Sequence, residues 1–293
     1  MCMKSKLSRR DFLNILKYFF ISLFPLGSGS LIYSVFGEPQ WLDVEQVEIV
    51  LPRLPKSFSG LRIVHISDIH IGGWMNRERL SDVIELAKKQ KPDLVVMTGD
   101  YVIGHSWTEN LDEAAQDFVD EVSKLTADYL VLGVLGNHDH WTDAEKVRTM
   151  LSRCGVVELN NAVYSLKRGD DRLHIAGVDD VRENKARLDD VYKLLPDTGG
   201  AMLLAHEPDF VDISSQKDRF DLQLSGHSHG GQVVIPFYGP IILPYLGRKY
   251  PSGLYKVGRM WQYTNRGVGM TEPAVRFNCR PEITVLTLRS IEL

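Results

Sequence analysis

Cysteine is scarce in this chain of 293 residues, which has only Cys2, Cys154 and Cys279. Three widely spaced cysteines form neither a disulfide framework nor the paired spacing of a zinc knuckle. A Cys154–Cys279 bridge stays open, although nothing in the sequence requires one. Blocks of basic residues are also absent, and 34 basic against 38 acidic residues give a formal net charge of −4. Nucleic-acid binding is therefore not expected.

The N-terminal segment, residues 1–40, combines basic residues with an uncharged run, 18-YFFISLFPLGSGSLIYSVFG-37. It resembles a twin-arginine export signal through Ser8, Arg9, Arg10, Phe12 and Leu13. The alternative is an amphipathic surface helix. The resemblance implies export by the twin-arginine translocase to the periplasm or the outer face of the cell membrane, with the cytoplasmic face as the alternative. Cleavage near 35–37 and retention as a membrane anchor both stay open.

Residues 41–293 lack repeats and long linkers and are interpreted as one α/β domain. Apolar patterns predict strands at 44–51, 94–98, 129–135, 172–178, 201–205, 220–225 and 283–288, and an opening buried strand within 61–73 that ends at Asp68 and His70. Two helices are predicted from the helical spacing of Leu80, Val83, Ile84 and Ala87, and of Ala114, Phe118, Val122 and Leu125. Thr142 and Glu145 match a capping box that begins a third helix. The βαβ-like beginning and the strand-rich last third predict more than one sheet.

Carboxylate, amide and imidazole side chains follow the predicted buried strands: Asp68, His70, Asp100, Asn137, His206, His227 and His229. Ligands of α/β sheets bind beyond the carboxyl ends of the strands, so these side chains are expected to meet. Carboxylates with imidazoles and no thiolate suit Mn, Fe or Zn. The set is too large for one ion, whereas two ions about 3.5–4 Å apart that share a carboxylate would use all of it. Such a pair activates water and clamps the oxygens of a phosphoryl transfer.

The boxes D-x-H, G-D, G-N-H-D, H and G-H-x-H run in order from Asp68 to His229. This order resembles the calcineurin-like metallophosphoesterases. The twin-arginine leader and the stretches 204-LAHEPD-209, 226-GHSHGGQ-232, 266-RGVG-269 and 277-FNCRPEI-283 resemble the bacterial YkuE/YaeI-like phosphodiesterase branch. The resemblance implies a four-layer αββα sandwich of two mixed β-sheets flanked by helices. It also implies two divalent metal ions.

By motif position, the resemblance implies that the first metal is held by Asp68, His70 and His229, and the second by Asn137, His206 and His227. Asp100 would bridge the two ions. His138 would donate a hydrogen bond to the phosphate and protonate the leaving oxygen, an effect worth roughly 10²–10⁴ in rate.

One departure from the wider superfamily narrows the function. Its protein phosphatases read G-D-x-V-D-R-G, whereas this chain reads 99-GDYVIG-104. Ile103 stands where a carboxylate orients the acid histidine, so a protein phosphatase is not expected. What orients His138 stays open.

Other notable residues have two interpretations each. His65, His105, His140 and His174 are interpreted as structural or spectator residues, with substrate contact by His140 as the alternative. Arg266 is a candidate contact for a substrate phosphate. The apolar segment 233–255 is either a hairpin and loop packed on the sheet edge or an apolar lip that receives acyl chains or enters the bilayer. In the second case the adjacent Arg248 and Lys249 would lie near lipid headgroups.

The sequence therefore predicts an exported enzyme that hydrolyses a phosphodiester or pyrophosphate bond of a membrane or cell-envelope substrate. The resemblance implies attack by a metal-bridging hydroxide. The alternative is a UDP-2,3-diacylglucosamine pyrophosphatase of lipid A biosynthesis, which fits an export signal poorly because that substrate is cytosolic. A non-catalytic metal-bound envelope scaffold is the distant alternative.

Overall fold

The computed structural model describes residues 29–291, so the twin-arginine motif lies outside the described residues. Within 29–291, no helix combines the length and the apolar character that a membrane crossing requires. Residues 29–32 are helical and continue into a π-helical turn, Tyr33–Gly37, and a 3₁₀ turn, Glu38–Gln40. The segment that precedes the predicted domain boundary is therefore folded from residue 29 onward.

The strands of the described residues are β1 (Asp43–Leu51), β2 (Arg62–Ile66), β3 (Leu94–Met97), β4 (Val131–Gly133), β5 (Val157–Glu158), β6 (Ala162–Arg168), β7 (Asp171–Gly177), β8 (Gly200–Leu204), β9 (Leu222–Ser225), β10 (Val234–Ile235), β11 (Gly239–Pro240), β12 (Gly253–Val257), β13 (Met260–Thr264) and β14 (Glu282–Ser290). The helices are α1 (Arg77–Lys89), α2 (Glu109–Thr126), α3 (Asn137–Arg153), α4 (Leu188–Leu194) and α5 (Val211–Ser214).

Two six-stranded mixed sheets organise these elements. The first has the order β1-β14-β2-β3-β4-β5, in which β2 to β5 run parallel. The second has the order β12-β13-β9-β8-β7-β6, in which β7, β8, β9 and β13 run parallel. Parallel neighbours bring their carboxyl ends to the same edge of a sheet, and each sheet therefore has one edge suited to a binding site.

The apolar core fills three interfaces between four layers. Residues from both sheets, including Ile63, Leu132, Ile175 and Leu224, pack between the sheets. The outer face of the first sheet is covered by α1, α2 and α3, and that of the second by α4 and α5. The predicted αββα sandwich is confirmed.

Helix α1 shows how the sequence determines a local element. The Asn76 side chain caps the helix by accepting the Arg79 N–H at 3.0 Å. The buried residues Leu80, Val83, Ile84 and Ala87 form its apolar stripe. This stripe is the predicted one.

The predicted capping box at Thr142 is wrong. Helix α3 begins at Asn137, because Asp139 accepts the Gly136 N–H at 2.9 Å and caps the first turn. The helix is interrupted at Asp143, whose side chain accepts the Lys146 N–H at 3.1 Å and caps the second part. Cys154 and Cys279 are both free and buried, so they form no bridge.

Candidate metal centre

The predicted ligand residues meet at the carboxyl ends of the two sheets. Asp68 and His70 follow β2, Asp100 follows β3 and Asn137 lies after β4. From the second sheet, His206 follows β8 and the pair His227 and His229 follows β9. All of these residues are buried. The structure brings every predicted ligand into one place.

One cluster is formed by Asp68, His70 and His229. The Asp68 Oδ1 lies 3.3 Å from the His229 Nε2. The His229 Nε2 lies 3.1 Å from the His70 Nε2. The potential ligand atoms of this cluster all lie within 4.8 Å of one another, a spacing that one metal ion can bridge.

A second cluster is formed by Asp100, His206 and His227. The His206 Nε2 lies 3.2 Å from the Asp100 Oδ2 and 3.1 Å from the His227 Nδ1. The same Asp100 oxygen lies only 3.6 Å from the His70 Nε2 of the first cluster. Asp100 is therefore placed between the two clusters.

Asn137 supplies an independent sign of a missing partner. Its Oδ1 is buried and has no hydrogen-bond partner among residues 29–291. Leaving a buried amide oxygen unpaired costs roughly 1–3 kcal/mol, so such an atom needs an explanation. A metal ion would satisfy this oxygen, and the donor set suits Mn, Fe or Zn. The two clusters together fit a dinuclear divalent metal site.

The backbone at the site is strained. Asp68, His70, Asp100, His227 and His229 all have φ between 51° and 68°. Residues other than glycine adopt this left-handed region only at a cost, and such residues concentrate at functional sites. The conformation turns each side chain inward after its strand has ended.

Two glycines allow the loops to approach this closely. A Cβ at Gly136 would lie 2.4 Å from the Asp100 Oδ1. A Cβ at Gly226 would lie 2.2 Å from the Asp68 Oδ2. The glycines of the G-N-H-D and G-H-x-H boxes are therefore required by space around the two carboxylates.

Protonation states around the two clusters are set mainly by burial. Burial lowers the pKa of His70 to about 3, so this imidazole is neutral. Burial raises the pKa of Asp100, but the nearby His206 and His138 lower it by more than burial raises it. The net pKa of Asp100 is well below its usual range. Burial lowers the pKa of His206, yet Asp100 and Asp68 raise it more, and the net pKa is well above its usual value. A metal ion binds the neutral form of an imidazole, so it competes with this proton.

His138 lies beside the clusters with its ring held from two sides. Its Nδ1 is 3.3 Å from the Gly104 carbonyl oxygen, and its ring centre is 4.8 Å from that of Trp141. Its backbone N–H donates to the Asp100 Oδ1 at 2.8 Å. The backbone carbonyl of Gly104 therefore orients His138 in place of the carboxylate that Ile103 replaces.

A cleft of about 530 Å³ opens above the clusters. Asp100, Asn137, His138, His227 and His229 line its floor. Its walls carry His105, Trp141, Arg182 and a set of apolar residues that includes Val233, Ile241, Ile242, Pro244 and Val275. The cleft combines a polar, metal-ligating floor with an apolar rim.

The remaining candidates have structural partners. His65 contacts the Thr98 hydroxyl at 2.8 Å, and His174 contacts the Ser165 hydroxyl at 2.7 Å. His140 pairs with Asp179 at 2.7 Å. These contacts agree with the structural interpretation.

Arg266 does not line the cleft. Its guanidinium contacts Glu282 at 2.7 Å, Glu45 at 3.0 Å and Asp43 at 3.4 Å. The suggestion that Arg266 contacts a substrate phosphate is wrong, because its guanidinium is paired with these carboxylates of β1 and β14.

Sequence reasoning missed two residues that support the site. Asp139, the last residue of the G-N-H-D box, binds backbone N–H groups of the Asp100 loop. Arg276 is fully buried, and its guanidinium donates to the carbonyl oxygens of Arg266, Gly267, Gly269 and Cys279. The position of Arg276 among Ala274, Val275 and Phe277 was the available signal.

The sequence profile of the calcineurin-like phosphoesterases matches residues 61–231, the part of the chain that supplies both clusters. The chain belongs to this family. It is accordingly a metal-dependent phosphoester hydrolase, and the carboxylates and imidazoles that the structure gathers fit a dinuclear divalent metal site.

Several relatives are similar over most of the chain. The metallophosphoesterase YkuE of Bacillus subtilis is 35% identical over 97% of this chain and 99% of its own length. The phosphodiesterase YaeI of Escherichia coli is 29% identical over 87% of this chain and 92% of its own. A zebrafish transmembrane protein with a metallophosphoesterase domain is 31% identical over 88% of this chain and 60% of its own. The predicted resemblance to YkuE and YaeI is confirmed.

Proposed function

We propose that this protein hydrolyses a phosphodiester or pyrophosphate bond with two divalent ions, Mn, Fe or Zn. Asp68, His70 and His229 would hold one ion, Asn137, His206 and His227 would hold the other, and Asp100, placed between the two clusters, would serve both. The observation that carries the assignment is the shared position of Asp100, 3.6 Å from His70 and 3.2 Å from His206. The unpaired oxygen of Asn137 supports it.

When bound, the two ions supply an activated water and neutralise charge on the phosphate. The residues of the chain then position the substrate and handle its protons. His138 would protonate the leaving oxygen from its imidazolium form: its Nδ1–H donates to the Gly104 carbonyl, and its other ring nitrogen, which has no hydrogen-bond partner among the described residues, carries the proton that is transferred. Arg182 and the cleft walls receive the rest of the substrate.

The substrate class rests on the cleft and on the relatives. A cleft with an apolar rim suits a substrate that carries an apolar group beside its phosphate. The similarity to a protein named as a phosphodiesterase favours a diester. With the predicted export signal, these features support a membrane or cell-envelope substrate.

Hydrolysis of bis(p-nitrophenyl) phosphate tests the proposal. The full-length protein would be assayed after metal removal and after loading with Mn²⁺, Fe²⁺ or Zn²⁺, beside His138→Ala and the control His174→Gln, whose histidine lies far from the cleft. We expect metal-dependent turnover that falls by roughly 10²–10⁴ in His138→Ala at unchanged metal content. Equal turnover in His138→Ala would contradict its role as the acid.

A protein with two bound ions and no diesterase activity would direct the assay to UDP-2,3-diacylglucosamine. Cleavage of that substrate alone would identify a pyrophosphatase. Inactivity on both substrates would favour the scaffold alternative.

A further inference from the structure

The hairpin formed by β10 and β11 carries large apolar side chains that project into solvent. Phe237 at its tip is fully exposed, and Tyr238 is 79% exposed. On the strand and loop that return from the tip, Ile241, Ile242 and Tyr245 are 54%, 76% and 61% exposed. Soluble surfaces rarely gather so many large apolar residues, and patches of this kind mark interaction sites.

A second apolar patch lies on the N-terminal segment, where Leu31, Ile32 and Phe36 are 63%, 61% and 72% exposed. This segment is fixed on the domain. The backbone N–H of Arg276 donates to the Ser34 carbonyl oxygen at 2.9 Å. The buried Glu38 carboxylate accepts the backbone N–H of Asn278 at 2.8 Å and that of Cys279.

The two patches are neighbours because the same short stretch binds both. Phe277 lies between Arg276 and Asn278, which hold the N-terminal segment. Its carbonyl oxygen accepts the Val234 N–H at 2.9 Å, and its N–H donates to the Gln232 carbonyl at 2.9 Å. Since consecutive Cα atoms are about 3.8 Å apart, the hairpin and the N-terminal segment attach to the domain within roughly 10 Å of each other.

We propose that the hairpin tip enters a lipid bilayer beside the N-terminal segment and so holds the mouth of the cleft at the membrane surface. The N-terminal patch lies in the second half of the uncharged run of residues 18–37, which favours a bilayer over a second copy of the chain. The exposed rings of Tyr238 and Tyr245 suit the interface between headgroups and acyl chains.

The contact is apolar rather than electrostatic. The Lys249 Nζ lies 2.7 Å from an Asp212 carboxylate oxygen and is therefore paired within the domain, whereas contact of Arg248 with headgroups stays a prediction. Binding should therefore persist in neutral lipid and at high salt.

This placement identifies the substrate class, a step that rests on the proposed function. Ile241 and Ile242 of the hairpin segment line the cleft together with Pro273 and Val275. The substrate is therefore an amphiphile whose acyl part stays in or near the bilayer while its phosphate reaches the clusters.

Site-directed fluorescence tests the contact without relying on turnover. A Cys2→Ser background removes one native thiol, and the other two, Cys154 and Cys279, are buried. The full-length protein carrying Phe237→Cys would be labelled with an environment-sensitive dye and reconstituted into phosphatidylcholine vesicles. Leu194→Cys is the matched control, since Leu194 is 59% exposed on α4, in the outer layer of the second sheet.

We expect nitroxide lipids to quench the label at 237 at least about threefold more than the label at 194, and aqueous iodide to show the reverse order. Equal quenching at both positions would overturn the proposal. Shielding at 237 from both quenchers would also overturn it, because it would indicate a second copy on the hairpin.

Turnover separates this inference from the proposed function. Phe237→Asp should keep its activity on bis(p-nitrophenyl) phosphate and lose about tenfold on a phosphodiester embedded in vesicles. If the parent protein hydrolyses neither substrate, the proposed chemistry is contradicted. The fluorescence result would still test the membrane contact.

Discussion

The carboxylate of Asp139 accepts the backbone N–H of Asp100 at 2.9 Å and thereby fixes the residue placed between the two clusters. The same carboxylate accepts the N–H groups of Tyr101 at 2.8 Å, Gly136 at 2.9 Å and Val102 at 3.3 Å. One buried side chain therefore joins the loop after β3 to the loop after β4. It determines the position of Asp100 without belonging to either cluster.

Replacing Asp139 by Asn should weaken metal binding as well as the fold. An amide places donors against some of these N–H groups, and we expect a loss of roughly 2 kcal/mol in unfolding free energy. Urea unfolding and metal titration would be compared with Glu145→Gln, an exposed change on the same helix. A variant that lost stability but kept full metal affinity would show that Asp139 does not position Asp100.

Replacing Asn137 by Ala should separate metal binding from stability. The Asn137 Oδ1 is buried without a partner among the described residues, so its removal should leave the metal-free protein as stable or slightly more stable. The loaded protein should lose one of its two ions or bind it at least about tenfold more weakly. Metal analysis and thermal unfolding with and without metal measure both effects. A destabilised metal-free variant with normal metal content would assign Asn137 a structural role only.

Asp180 should make stability fall as pH rises. Burial and the neighbouring carboxylate of Glu207 raise the pKa of Asp180 to about 9 in the folded protein, against an ordinary value of 3.8. Between these values the folded state holds a proton that the unfolded state lacks, so each step up in pH costs stability until about pH 9.

Asp180→Asn keeps the neutral form at every pH. Relative to the parent protein, it should gain up to roughly 1.4 kcal/mol of unfolding free energy for each pH unit between pH 5 and about 9, which flattens the profile over this range. Urea unfolding across this range measures the effect, with the exposed Asp170→Asn as the control. A profile parallel to that of the parent protein would argue against a protonated Asp180.

Arg276 should be irreplaceable by another cation. Its planar guanidinium serves several carbonyl oxygens at once, and Gly269, one of these residues, also donates its N–H to the Asp68 carbonyl at 2.8 Å. Lysine keeps the charge but lacks the planar set of N–H donors of the guanidinium. Arg276→Lys should therefore lower the unfolding free energy by roughly 3 kcal/mol and weaken metal binding. The exposed Arg248→Lys is the matched control. Equal unfolding curves for the two variants would refute this role.

Much of the fold and of the site could be predicted from the sequence. Buried strands have continuous apolar runs, and the candidate ligands follow them, so the residues from Asp68 to His229 could be predicted from their side-chain types and from their order after these strands. The sequence gives the chemical type of every side chain directly. A set of carboxylates and imidazoles after buried strands favours metal binding over a purely structural role.

The features that escaped prediction are made by the backbone or by distant partners. The oxygen that orients His138 is the main-chain carbonyl of Gly104. Every residue has such a carbonyl, so the residue types of the sequence do not reveal this contact. Arg266 looked free because Asp43 and Glu45 lie more than 200 positions away in the chain. Thr142 and Glu145 match a capping sequence, yet the helix begins at Asn137, where Asp139 caps the first turn.

The left-handed residues of the site have a consequence for folding. Asp68, His70, Asp100, His227 and His229 each hold a conformation that costs on the order of 1–2 kcal/mol. Their sum is comparable with the net stability of an ordinary domain, about 5–15 kcal/mol. Under the proposed ligand assignment, metal coordination would offset the cost of these five conformations together. On the proposed assignment, the ions would act as the last folding partners of this chain, and the order of the loops around the cleft should depend on metal occupancy before any substrate binds.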